Sequence, residues 1–141
     1  MANAEPYIEP PLGETADLLR PGHQALEALF LHLVAVLERG ADDLVESVRS
    51  AAERSLLAQL EDEEKTLLPE LLAVCPRSAR AILHEHSHLR RRLSQLRTMS
   101  PRLSVSDAQG FLDELRAHAR HEEAVLYRWA ETRRAEQPLE P

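Results

Sequence analysis

The sequence predicts an all-α protein, an antiparallel up-down-up-down four-helix bundle, and three observations carry that expectation. Glycine occurs only 4 times in 141 residues while Leu, Ala, Glu and Arg abound, a composition that favours helix over strand. Apolar residues recur at three- and four-residue spacings through four long segments. The breaks between those segments, near Gly40, Pro76 and Pro101, are short, so consecutive helices are expected to turn back beside one another.

Residues 1–16, with Pro6, Pro10, Pro11 and Gly13, are expected to form an extended N-terminal arm. The first helix is expected to open near Pro21, which the first turn tolerates, and to end before Gly40. His23, Leu26, Phe30, Leu33 and Leu37 mark its inner face. The second spans about 42–74, with Leu44, Val48, Ala52, Leu56, Gln59, Glu63 and Leu67 on one stripe and a kink at Pro69. The third spans about 77–99 and carries Ala81, His84 and His88 inward, beside an apolar stripe of Leu89, Leu93 and Leu96; Pro101 closes it. The fourth is expected to start at Ser106, which with Gln109 has the form of a capping box, and to present Phe111, Leu115, His118, Glu122, Val125 and Trp129. Tyr127 lies off that stripe and its place is left open. The bundle is thus assigned to 17–135 and a fraying tail to 136–141.

Composition narrows the function. With 43% hydrophobic but only 4% aromatic residues, the core of this single domain must be mainly Leu, Ala and Val. A formal charge of −7 and the absence of a basic face argue against nucleic acid as a partner. No apolar run approaches the roughly 20 residues that cross a bilayer. No signal peptide is evident, and Cys75 is the sole cysteine, so a soluble, cytoplasmic protein is expected.

The chemistry lies in two copies of one phrase. His118-Ala119-Arg120-His121-Glu122-Glu123-Ala124-Val125-Leu126 repeats, 59 positions on, the segment Gln59-Leu60-Glu61-Asp62-Glu63-Glu64-Lys65-Thr66-Leu67, with Gln59 standing where the second copy has His118. Between them stands His84-Glu85-His86-Ser87-His88, and ahead of both stands His23. Residues four apart in an α-helix lie about 40° from each other around the axis, so HxxxE and HxxxH each aim two donors at one point. Depth agrees: His23 and Gln59 stand equally far from a turn near residue 41, as do His88 and His118 from a turn near 103. His32, His86 and His121 fall off these faces and are read as surface or satisfied core histidines, with His121, beside the site-facing stripe, a hydrogen-bond partner behind the site.

The ordered set of His23, the 59–63 pair, His84-xxx-His88 and His118-xxx-Glu122, with a Leu-Leu-Pro at 67–69, resembles the hemerythrin-like (HHE) domains over nearly the whole chain. That resemblance implies four antiparallel helices around a non-haem di-iron centre. It would put one iron on His84, His88 and His118 and the other on His23 plus position 59, with Glu63 and Glu122 bridging. Imidazole and carboxylate also suit zinc or manganese, so iron is what the resemblance adds.

Gln59 departs from the pattern, since its amide oxygen is a weak, neutral donor. Two substitutes offer themselves: Glu27, because His23-xxx-Glu27 is itself an HxxxE, and Asp62, about 60° around the helix from Gln59. A carboxylate in place of an imidazole would favour the ferric state. The expected role is therefore a response to dioxygen, peroxide, nitric oxide or iron rather than simple oxygen transport. The alternatives are a peroxide-decomposing or ferrous-oxidising enzyme, and a degenerate helical interaction module holding one metal or none. The sequence identifies no protein partner.

Overall fold

A computed structural model of the chain describes residues 12–100 and 102–136, with side chains described over 22–100 and 102–133. Among the described residues, six α-helices and one π-turn make up four rods. α1 (Leu12–Glu38) is the first; α2 (Asp42–Thr66) and α3 (Leu68–Val74) form the second; α4 (Pro76–Met99) is the third. α5 (Val105–Glu122), a π-turn (Glu123–Tyr127) and α6 (Arg128–Glu136) run on as the fourth. α1 packs against α2, α5 and α6, and α4 packs against α2, α3 and α5. No strand occurs among the described residues.

The junctions explain themselves locally. Gly40 takes a left-handed φ of 67°, and the bonds from Gly40 N to Leu37 O and from Ala41 N to Val36 O close α1 with the two carbonyls a Schellman motif satisfies. The kink expected at Pro69 is a break at Leu67, leaving Pro69 in the first turn of α3, where its missing N–H costs nothing. The fourth rod is capped two residues earlier than expected. Ser104 Oγ accepts from Asp107 N at 3.1 Å, and Asp107 Oδ2 accepts from Ser104 N at 3.3 Å, so Ser104 and Asp107, not Ser106 and Gln109, form the capping box.

Other boundaries differ as well. α1 already runs from Leu12, with Pro21 inside it rather than at its start. The extended arm expected over 1–16 falls mostly, and the closing role of Pro101 and most of the tail fall wholly, outside the described residues. Leu44, placed inward by the stripe on α2, is 42% exposed, while its neighbour Val45 is buried.

Two apolar clusters hold the rods together. One gathers residues such as Leu26, Phe30, Leu33, Leu56, Leu60, Leu89, Leu93, Phe111 and Leu115. The other gathers Leu67, Leu68, Leu71, Ala79, Ile82, Leu126, Tyr127 and Ala130. Along every rod that supplies both clusters a polar interval separates them, with Glu63 between Leu60 and Leu67, His86 between Ile82 and Leu89, and His118 and Glu122 between Leu115 and Leu126. Those intervals meet in one layer.

Candidate metal centre

Buried ionisable groups are tolerated only when they satisfy one another or hold an ion, and this layer contains several. Glu63, His86, His118 and Glu122 are 0–5% exposed, and one donor atom from each lies within 4.8 Å of the others. His23 of α1 adjoins them, its Nε2 being 3.2 Å from Glu63 Oε2 and 3.2 Å from Glu122 Oε1.

The two carboxylates divide their oxygens between opposite sides. Glu63 Oε1 faces His86 Nε2 at 3.2 Å, while its Oε2 faces His23 Nε2. Glu122 Oε2 faces His86 Nε2 at 3.2 Å, while its Oε1 lies 3.0 Å from His118 Nε2 and 3.2 Å from His23. His86 lies on one side of the glutamate pair and His23 on the other; His118, whose ring adjoins that of His86 at 5.0 Å between centroids, is grouped with His86 as one pole although it also approaches the Glu122 oxygen that faces His23. Gln59 and Tyr127 complete the His23 pole. Tyr127 O–H donates to Glu63 Oε2 at 2.6 Å and lies 3.2 Å from His23 Nε2; Gln59 Nε2 lies 3.2 Å from Glu63 Oε2 and 3.4 Å from the Tyr127 oxygen.

Carboxylates stand behind the two imidazoles of the first pole. His86 Nδ1 lies 2.8 Å from Glu64 Oε2, and Arg90 holds Glu64 with two bonds of 2.7 and 2.8 Å. His118 Nδ1 lies 2.7 Å from Glu85 Oε1, whose other oxygen is 2.5 Å from His121 Nδ1. An ionised carboxylate can only accept, so each Nδ1 donates and each Nε2 is turned into the layer.

Electrostatics favour a cation in the middle. Burial disfavours a charged imidazole, but contacts with Glu122 and Glu63 outweigh it, raising His23 to about 9 and His86 to about 10. His118 is raised in the same way, burial being overcome mainly by Glu122. Glu122 is held well below the usual carboxylate range, burial being overridden by its contacts with Glu63 and the three histidines. Protons on the imidazoles thus neutralise the layer where a metal ion would otherwise do so. Two buried ligand-type atoms, Glu63 Oε1 and His118 Nε2, have only an ion-pair neighbour, His86 Nε2 at 3.2 Å and Glu122 Oε1 at 3.0 Å, with no well-directed hydrogen bond. A set of imidazoles and carboxylates with unsatisfied atoms aimed inward fits a metal ion, and iron, zinc and manganese all suit it.

The structure corrects the facing read for α4. His84 and His88, taken as inward, are exposed, and His88 Nε2 lies 3.5 Å from Glu114 at the surface. His86, read as a surface or satisfied core histidine rather than a ligand, is fully buried in the layer. The physical reason is the seam of the helix: Ala79, Ile82, His86, Leu89, Leu93 and Leu96 alternate three- and four-residue steps and are all buried, whereas His84, His88 and Ala81 fall off it. That seam was a signal in the sequence which the HxxxH spacing obscured.

The substitutes considered for the missing imidazole also stay outside. Glu27 is 41% exposed and accepts from Arg116 Nε at 2.6 Å, and Asp62 is exposed. Gln59 reaches the layer, but through its amide nitrogen; a Cβ on Gly22 would collide with its Oε1, so close does the amide lie to α1. Tyr127 is the residue the periodicity missed. The π-turn adds a residue to one turn of the fourth rod and shifts its phase, so that Leu126, Tyr127 and Ala130 are buried where Val125 and Trp129 were expected and are only half-buried.

Comparison with known proteins matches this arrangement to one family. The model of the Hemerythrin HHE cation binding domain matches residues 14–130, which include every residue of the layer. No curated protein and no solved structure matches the chain. A helical chain matched over most of its length, with a buried histidine and glutamate layer that can hold a metal, belongs to the hemerythrin HHE cation-binding family.

Proposed function

We propose that this chain holds a non-haem di-iron centre and uses it to respond to dioxygen, peroxide, nitric oxide or iron, rather than to carry oxygen. One metal would be held by His86 and His118 together with Glu63 and Glu122. A second would be held by His23 with the same two glutamates. His84, His88 and Glu27 leave the ligand set, and His86 enters it.

The observation that carries the reading is the splitting of each carboxylate. Both glutamates send one oxygen toward His86 and the other toward His23, a division that two cations sharing bridging acids would use, and Glu122 Oε1 lies 3.0 Å from His118 Nε2 as well. Iron in such a site would supply one-electron chemistry toward a small oxidant. The residues of the chain bind, bridge and exclude water, and Glu64 and Glu85 fix the imidazoles of one pole. A small cavity with room for a water-sized molecule lies against His23, Gln59, His118 and Glu122, and Leu26, Leu56, Leu60 and Leu115 wall it. Its size suits a small molecule such as dioxygen or nitric oxide.

Metal content per chain, by elemental analysis of protein from iron-supplemented cells, with visible spectra before and after peroxide, tests the reading. A pair of irons per chain and a spectrum that responds to peroxide are expected. One iron would support the mononuclear alternative at His86 and His118, and none would remove the metal reading. Sustained turnover of peroxide would move the protein to the enzyme class.

A further inference from the structure

On the basis of that di-iron reading, we propose that Tyr127 is an iron ligand: its phenolate oxygen supplies the donor that position 59 lacks, and Gln59 serves as hydrogen-bond donor to that oxygen. The fully buried phenol oxygen stands among the ligand atoms of the His23 pole, 2.6 Å from Glu63 Oε2 and 3.2 Å from His23 Nε2. An ion held by His23 Nε2, Glu63 Oε2 and Glu122 Oε1 would lie beside the Tyr127 oxygen. Phenolate is a hard, anionic donor and matches ferric iron better than a neutral amide does.

The local fold is arranged to bring it there. Five residues of ideal α-helix turn a side chain by roughly 140° relative to the first, which would carry Tyr127 away from Glu122. The π-turn over Glu123–Tyr127 places residues five apart one above the other, so Tyr127 shares the face of Glu122. Such turns are rare, and this one falls at the metal layer.

Gln59 fits the role of donor. The group facing Glu63 Oε2 and the phenol oxygen must be the amide NH₂, because the carboxylate can only accept, and Oε1 lies against Gly22 on α1. An N–H directed at the phenol oxygen stabilises its anion. On binding, the O–H bond breaks, an O–iron bond forms, and the proton leaves to solvent.

The test loads the full chain with ferric iron, supplied as its citrate, and compares wild type with Tyr127→Phe and with Tyr7→Phe, Tyr7 being the chain's other tyrosine. Wild type and Tyr7→Phe are expected to show a visible phenolate-to-iron band with tyrosinate ring modes in resonance Raman. Tyr127→Phe is expected to lack the band and to hold the His23-side iron on the order of 10–100-fold more weakly, the range by which groups around a metal tune its affinity. A pair of irons in wild type without the band, or with a band that survives in Tyr127→Phe, overturns tyrosine ligation and leaves the di-iron reading standing. One iron with the band does the reverse, and no iron overturns both. Should Tyr127→Phe fail to fold, the Raman spectrum of Tyr7→Phe decides alone, because Tyr127 is then the chain's only tyrosine.

Discussion

The two poles of the buried layer share their glutamates and differ in everything else. At His86 and His118 each imidazole is braced from behind by a carboxylate, Glu64 or Glu85, and each of those is held in turn by Arg90 or His121. At the other pole a single imidazole, His23, shares its space with an amide and a phenol that hydrogen-bond into the same Glu63 oxygen. The braced pole is defined by orientation, since the ring nitrogens facing the layer are fixed by what the opposite nitrogens contact. The mixed pole is defined by filling, since groups of other chemistry crowd where an imidazole is absent. Position 59 thus contributes a hydrogen-bonding amide to the layer, beside the small cavity that Gln59 lines.

Variants can break this comparison. The largest effect is expected from Glu63→Ala, because Glu63 serves both poles: iron content should fall to near none, read by elemental analysis with circular dichroism to confirm the fold. Next, His86→Ala should remove the metal of the braced pole, whereas His84→Ala and His88→Ala should leave metal content unchanged; loss of iron in either exposed variant would overturn the facing of α4 described above. Glu64→Ala or Glu85→Ala should weaken the metal of the braced pole on the order of 10–100-fold and spare the other, measurable by competition with a chelator.

Acidity sharpens the same contrast in metal-free protein. His23 and His86 have folded values of about 9 and about 10, above the ordinary 6.5. The stability they contribute is therefore full below pH 6.5 and lost as pH rises through 9 and then 10, so the denaturation midpoint should decline across that window. Iron-loaded protein should show a flatter profile there, because metal takes the place of those protons. The smallest effect is expected from Glu27→Ala, a half-exposed partner of Arg116: a loss of about 0–1 kcal/mol in unfolding free energy and an unchanged metal spectrum.

Much of this was legible in the sequence, and the rest was hidden for identifiable reasons. The rods followed from apolar spacing and from breakers such as Gly40, whose left-handed backbone ends α1. His23, Glu63, His118 and Glu122 stood on apolar stripes and do enter the layer. His86 was legible but misread, because a four-residue histidine spacing was weighed above the seam that runs through it. Tyr127 was not legible by periodicity, because a rule built on 3.6 residues per turn fails once a π-turn intervenes. Glu64 and Glu85 depend on contacts between helices, which no spacing within one helix encodes.

The π-turn also bears on how the molecule breathes. A wide turn has poorer packing along its axis than the α-helix on either side, and opening is cheapest where the backbone is already irregular. Amide hydrogens of Glu123–Tyr127 should therefore exchange with solvent sooner than those of α5, despite the burial of Leu126 and Tyr127. A metal anchored to both Glu122 and Tyr127 would staple the two ends of that stretch together. The segment would then report the state of the centre through its own protection, turning a local irregularity into a gauge of whether the site is filled.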